Sequence, residues 1–123
     1  MDHFQLRDGE LYCEDVPLAE IAARVGTPVY VYSTATMCRH VEALRVALKP
    51  LPDPLIAYAV KANPNSAVVA TLAKSGLGAD VVSGGEYQRA RSAGVPADKI
   101  VFSGVGKTAA EMRQALEGGL RQS

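Results

Sequence analysis

From Leu55 onward the sequence repeats one pattern three times: a short apolar run that meets a polar residue, then a stretch with apolar residues at helical spacing. The runs are Leu55 to Ala62, Ala79 to Ser83 and Ile100 to Ser103. The first helical stretch, capped by Asn65 or Ser66, carries Val68, Val69, Leu72 and Ala73 and stops at Ser75-Gly76. Gly85 to Ala93, stopping at Gly94, and Thr108 to Leu116, closing at Gly118-Gly119, supply the next two. Strand–helix units about 22 residues apart, with strands poor in polar residues, predict a parallel sheet with covered faces. Such crossovers build either a doubly wound sheet or a (β/α)8 barrel, and a barrel takes about 250 residues against the 123 present here. Leu120-Arg121-Gln122-Ser123 falls where a fourth strand would start, so a fragment is expected.

Ahead of the repeat, Phe4, Leu6, Leu11 and Tyr12 flank Asp8-Gly9-Glu10, a hairpin signal. Leu18, Ile21, Ala22 and Val25 recur at helical spacing between Pro17 and Gly26. Val29-Tyr30-Val31-Tyr32 is β-branched and aromatic and predicts a strand. Ser33 or Thr34 then caps a helix with Met37, Val41, Leu44 and Leu48 on one face, ended by the prolines between 50 and 54.

Composition narrows the function classes. Thirteen Lys+Arg balance thirteen Asp+Glu, which removes the general attraction to phosphate backbones of a nucleic-acid binder. A 48% hydrophobic content fits one soluble globular domain rather than disorder. No apolar run approaches the roughly 20 residues needed to cross a bilayer. Met1 to Arg7 lacks the basic start and apolar stretch of a signal peptide. Cys13 and Cys38 form neither a CxxC pair nor a disulfide framework. The expectation is a reduced, cytoplasmic protein.

In a parallel sheet, chemistry gathers where the strands end. The first run leads into Lys61, which strand alternation places on a face with Ala59 and Ala57, opposite Ile56, Tyr58 and Val60. Two alanines would make a floor for a flat ring, and desolvation would favour the neutral amine that attacks aldehydes. The competing reading is a lysine that only reaches solvent. The second run gives Asp80-Val81-Val82-Ser83-Gly84-Gly85-Glu86, with Asp80 on the sheet and Glu86 in the first turn of the next helix. Either carboxylate could support a positive charge at Lys61, while Ser83 with Glu86 also spells a capping box. The third run leads into Ser103-Gly104-Val105-Gly106-Lys107-Thr108, but Val101 stands where a Walker A loop needs glycine. A glycine-rich turn is expected there, not a nucleotide site. His3 and His40 lack ligand partners at suitable spacing, and no Gly-x-Ser-x-Gly elbow is present.

Four segments in order carry a resemblance: Thr27 to Tyr32 (TPVYVY), Tyr58 to Asn63 (YAVKAN), Gly78 to Glu86 (GADVVSGGE) and Val101 to Thr108 (VFSGVGKT). They resemble the diaminopimelate decarboxylases, which stand with ornithine and arginine decarboxylases in the alanine-racemase-like (fold type III) class of pyridoxal 5'-phosphate (PLP) enzymes. The resemblance runs from about Phe4 to the end. It implies an α/β fold: the first three βα units of a PLP-binding (β/α)8 TIM barrel, residues 33–123, preceded by short strands of a second β-domain, residues 1–32. It implies that Lys61 carries PLP as a Schiff base, with Ala59 and Asp80 as further cofactor contacts and Asp80 and Glu86 as active-site acids. The implied reaction is decarboxylation of meso-2,6-diaminopimelate to L-lysine and carbon dioxide by a homodimer. The alternatives are an ornithine- or arginine-type PLP decarboxylase, and a non-catalytic PLP-binding module. Family members are much longer and hold further cofactor contacts beyond position 123, so the chain taken alone is expected neither to fold stably nor to decarboxylate.

Overall fold

Asp8 and Gly9 both take positive φ, 50° and 84°, as a two-residue turn between right-twisted strands requires. They join β1 (Phe4–Arg7) to β2 (Glu10–Cys13), antiparallel with Leu6 opposite Leu11, and β2 pairs on with β3 (Val16–Pro17). The structure is a computed structural model that describes residues 2–123, and the chain divides into two compact units, Met1–Leu44 and Arg45–Ser123.

In the first unit α1 (Leu18–Val25) begins after Pro17 and ends at Gly26, as expected from the sequence. α2 (Thr34–Leu48) starts at Ser33, whose Oγ accepts the Thr36 N–H at 3.0 Å. A second acceptor comes from the end of β2. Glu14 Oε1 accepts the Ala35 N–H at 2.8 Å and the Ser33 hydroxyl at 2.7 Å, and these bonds hold its carboxyl below the usual range. His3 bonds Thr36 through both its backbone N–H and Nδ1. Burial, then the neighbouring Glu14 charge, pushes the Cys13 thiol up. The strand expected at Val29 to Tyr32 does not form. Positions 29–33 have no regular structure, and Val29, Tyr30 and Tyr32 are exposed. Strand preference is a preference for packing on a pleated surface, and no strand among the described residues pairs with this stretch.

The second unit holds a parallel sheet in the order β4 (Ala57–Ala59), β5 (Gly78–Val81), β6 (Ile100–Phe102). α3 (Ser66–Lys74) connects β4 to β5, α4 (Gly84–Ser92) connects β5 to β6, and α5 (Ala109–Glu117) follows β6. Each crossover steps the same way along the sheet, and crossovers of one hand then put the helices on one face. The burial pattern agrees. Ala79, Val81, Ile100 and Phe102 point into a core with Val60, Val69, Tyr87, Ala90, Val95 and Ala115. Phe102, Ile100, Val60, Val69, Val81 and Val95 are less than 2% exposed, each contributing about 1.5–3 kcal/mol of hydrophobic stabilisation. The alternate positions Ala57, Ala59, Asp80 and Val101 are exposed or half-buried. Among the described residues the sheet is therefore covered on one face, not both.

The first strand is shorter than expected. β4 stops at Ala59, the last of its residues in register with β5, and Val60–Ala62 form a 3-10 turn with Val60 fully buried. After α5 the chain returns to the sheet where the repeat places a fourth strand. Val101 bridges Gln122 in parallel, Phe102 N–H donates to Gln122 O at 2.8 Å and Arg121 N–H to Ile100 O at 3.1 Å.

Candidate active site

The ends of β4, β5 and β6 bring the polar residues of the three repeats to one rim. Lys61 is exposed in the turn after β4, so the alternation that would stack it over Ala57 and Ala59 ends two residues before it. The turn is held on both sides. Val60 anchors it in the core, and the Tyr58 hydroxyl donates to Asn63 O at 3.2 Å across it. Asn63 Oδ1 accepts the Asn65 N–H at 3.0 Å, and Asn65 Oδ1 caps α3 through the Ala67 N–H at 2.9 Å. That chain of bonds selects Asn65 over Ser66 as the cap. Among the described residues Lys61 itself makes no ion pair or hydrogen bond, which leaves its amine uncommitted.

Ala59 and Asp80 are register partners across β4 and β5, and Asp80 pairs onward with Val101. In-register parallel neighbours point the same way, so these three side chains form one row on the open face. Asp80 Oδ1 accepts the Ser103 hydroxyl, which lies on the same face two residues beyond Val101. Glu86 is half-buried and already committed. Its N–H donates to Ser83 Oγ at 3.2 Å, and its Oε2 accepts the Val82 N–H at 2.9 Å. The expected capping box is therefore half formed, with the carboxylate reaching one residue past Ser83.

In the third rim turn, the Gly-Val-Gly-Lys-Thr run spends its lysine on the protein itself. Lys107 turns back, donating to Phe102 O at 2.8 Å with its ammonium 5.7 Å from the Phe102 ring centroid. Gly104 takes φ 93° where a Cβ would sit 3.2 Å from Val82 Cβ, so residue 104 meets both a conformational and a spatial demand for glycine. Thr108 caps α5 in a complete capping box with Glu111. Sequence reasoning had singled out Lys61, Ala59, Asp80 and Glu86; it missed Tyr58, Asn63, Ser103 and Glu111. Tyr58, Asn63 and Ser103 lie inside the resemblance segments, and Glu111 carried a capping signal, three residues after Thr108.

The model of the pyridoxal-dependent decarboxylase family's pyridoxal binding domain matches residues 35–123. The chain belongs to this family. Diaminopimelate decarboxylase of Zymomonas mobilis is 54% identical over 121 residues, which cover 97% of this chain and 29% of that protein. The crystal structure of diaminopimelate decarboxylase from M. jannaschii in complex with L-lysine superposes with a TM-score of 0.84 at 37% identity, over 98% of this chain and 29% of that one. The lysine/ornithine decarboxylase of Vibrio vulnificus in complex with putrescine matches less well, with a TM-score of 0.65 and 30% identity over 84% of this chain and 28% of that one. The chain thus spans under a third of the length of these relatives.

The cofactor of pyridoxal-dependent decarboxylases is PLP, and the rim has the chemistry such a group requires. An aldehyde needs a primary amine with no competing partner, and Lys61 offers one. A flat ring needs a low floor, and Ala57 and Ala59 are the smallest side chains that still cover a strand. Asp80 adds a carboxylate in the same row.

Proposed function

We propose that the protein is a PLP-dependent decarboxylase that converts meso-2,6-diaminopimelate to L-lysine and carbon dioxide. The observation that carries the reading is the uncommitted Lys61 amine, held on a braced turn at the rim of a parallel sheet. PLP, when bound, supplies the electron sink that lets a carboxylate leave as carbon dioxide. Lys61 would hold the cofactor through its Nζ and release it to the substrate's amine. Ala59 would lie against the cofactor, and Asp80, oriented by Ser103, would balance positive charge that develops above the row. Glu86 would act from the start of α4, where its Oε2 holds the Val82 N–H.

Between structures, the 37% identity and TM-score of 0.84 to a diaminopimelate decarboxylase, against 30% and 0.65 to a lysine/ornithine decarboxylase, support this substrate over the ornithine- or arginine-type alternative. The same reading makes β4–β6 the first three strands of a (β/α)8 barrel. It assigns residues 33–123 to that barrel and residues 1–32, with the antiparallel β1–β2–β3, to a β-domain. The open sheet face and the exposed Leu6, Val25, Tyr30 and Tyr32 fit surfaces that further chain and a second subunit would cover, so the working form is a homodimer. Residues 1–123 by themselves are not expected to turn over.

The test has two arms on the intact protein. Borohydride reduction with PLP followed by peptide mass spectrometry should place the pyridoxyl mass on Lys61, and a tag on any other residue overturns the site. Carbon dioxide release should be fastest from meso-diaminopimelate. Faster release from ornithine or arginine would transfer the assignment to the alternative, and a tag on Lys61 without any release would leave a binding module.

A further inference from the structure

One carboxylate joins two helix starts at the rim. Glu111 Oε2 accepts the Thr108 N–H at 2.8 Å and the Thr108 hydroxyl at 2.9 Å, a local arrangement that caps α5. Its other oxygen, Oε1, accepts the Gly84 N–H at 2.8 Å, 27 residues away on α4. Position 84 is built for this contact. Gly84 is buried, and a Cβ there would stand 3.1 Å from Glu111 Cγ. The first N–H groups of a helix need acceptors from outside the helix, and a carboxylate is the favoured one at that end.

The residues around Gly84 are those of the proposed site. Ser83 caps α4, Glu86 holds the Val82 N–H, and Asp80 lies two residues before Val82. We infer that Glu111 is a positioning residue, clamping the β5–α4 turn so that Asp80 and Glu86 keep a fixed place on the rim that carries Lys61. The effect on turnover rests on the proposed function; the clamp itself does not.

Amide hydrogen exchange and steady-state kinetics on the intact protein test this. Glu111→Gln keeps the shape but turns an NH2 toward either Gly84 or Thr108, two donors facing each other. It should speed exchange at one of those amides about tenfold and lower kcat about tenfold with KM changed less than about twofold. The Ala67 amide, capped by Asn65, should not change. Thr108→Ala removes the local cap alone and should leave the Gly84 amide protected and kcat near wild type. Unchanged Gly84 and Thr108 exchange in Glu111→Gln overturns the clamp. Faster exchange with unchanged kcat, or an equal loss of kcat in Thr108→Ala, overturns the positioning role. A wild type whose Gly84 protection depends on Glu111 but which releases no carbon dioxide overturns the proposed function and leaves the clamp standing.

Discussion

Tyr58 and Asn63 are joined across the turn that carries Lys61, the phenol of one donating to the backbone carbonyl of the other at 3.2 Å. A strand-end lysine ordinarily swings with its loop. Here the bracket and the buried Val60 brace the backbone on both sides of Lys61. Tyr58→Phe removes the bond and keeps the ring. It should lower stability by about 1 kcal/mol in denaturant unfolding and slow capture of PLP at Lys61, read from the rate of borohydride-trappable adduct. An unchanged trapping rate would show that the bracket does not serve the lysine.

Asp80→Asn separates charge from shape. The amide can still accept from the Ser103 hydroxyl, so the melting temperature should stay close to wild type. If the carboxylate balances charge above the Ala59–Asp80–Val101 row, kcat should fall by roughly a hundredfold. A variant with full activity would reduce Asp80 to an ordinary strand-end residue.

Gly78→Ala addresses the sheet at its other end. A Cβ at Gly78 would run into the Lys99 carbonyl and come within 3.1 Å of Leu55 Cδ1, and the carbonyl belongs to backbone that cannot rotate away. β5 would have to shift from β6, and the loss should exceed about 2 kcal/mol, read as a lowered unfolding midpoint. Gly106→Ala, where a Cβ would meet no atom within 4 Å and φ is not positive, serves as the comparison for added bulk without a clash.

Acid should destabilise both units through two glutamates. The Ala35 N–H and Ser33 hydroxyl lower the Glu14 pKa, and the Gly84 and Thr108 N–H groups lower that of Glu111. A carboxyl depressed in the folded state binds its proton more readily when unfolded. Its contribution is therefore present above the ordinary value of 4.5 and is lost as pH falls through the lower folded value. Melting curves between pH 7 and pH 3 should show stability declining below about pH 4.5, with a shallower decline in Glu111→Gln. A decline of equal steepness in that variant would remove Glu111 from the account.

Much of this protein was determined by local chemistry written in the chain. The Asp8-Gly9 turn, the Pro17 and Gly26 limits of α1, a cap at Asn65 or Ser66 and the three strand–helix repeats all follow from residue-by-residue preferences, and all appear in the structure, with Asn65 as the cap. The proposal for Lys61 also starts in the sequence, because four motifs in order carry the family resemblance that implies it. What tertiary structure decided was every question of partners. Val29 to Tyr32 has strand chemistry but no strand beside it among the described residues, and β4 ends where its register with β5 ends, at Ala59. Glu86 was committed to Val82 and Glu111 to Gly84 by distances between chain segments that spacing cannot encode. A backbone group accepts whichever donor or acceptor the packed fold brings within reach, and packing is a property of the whole chain.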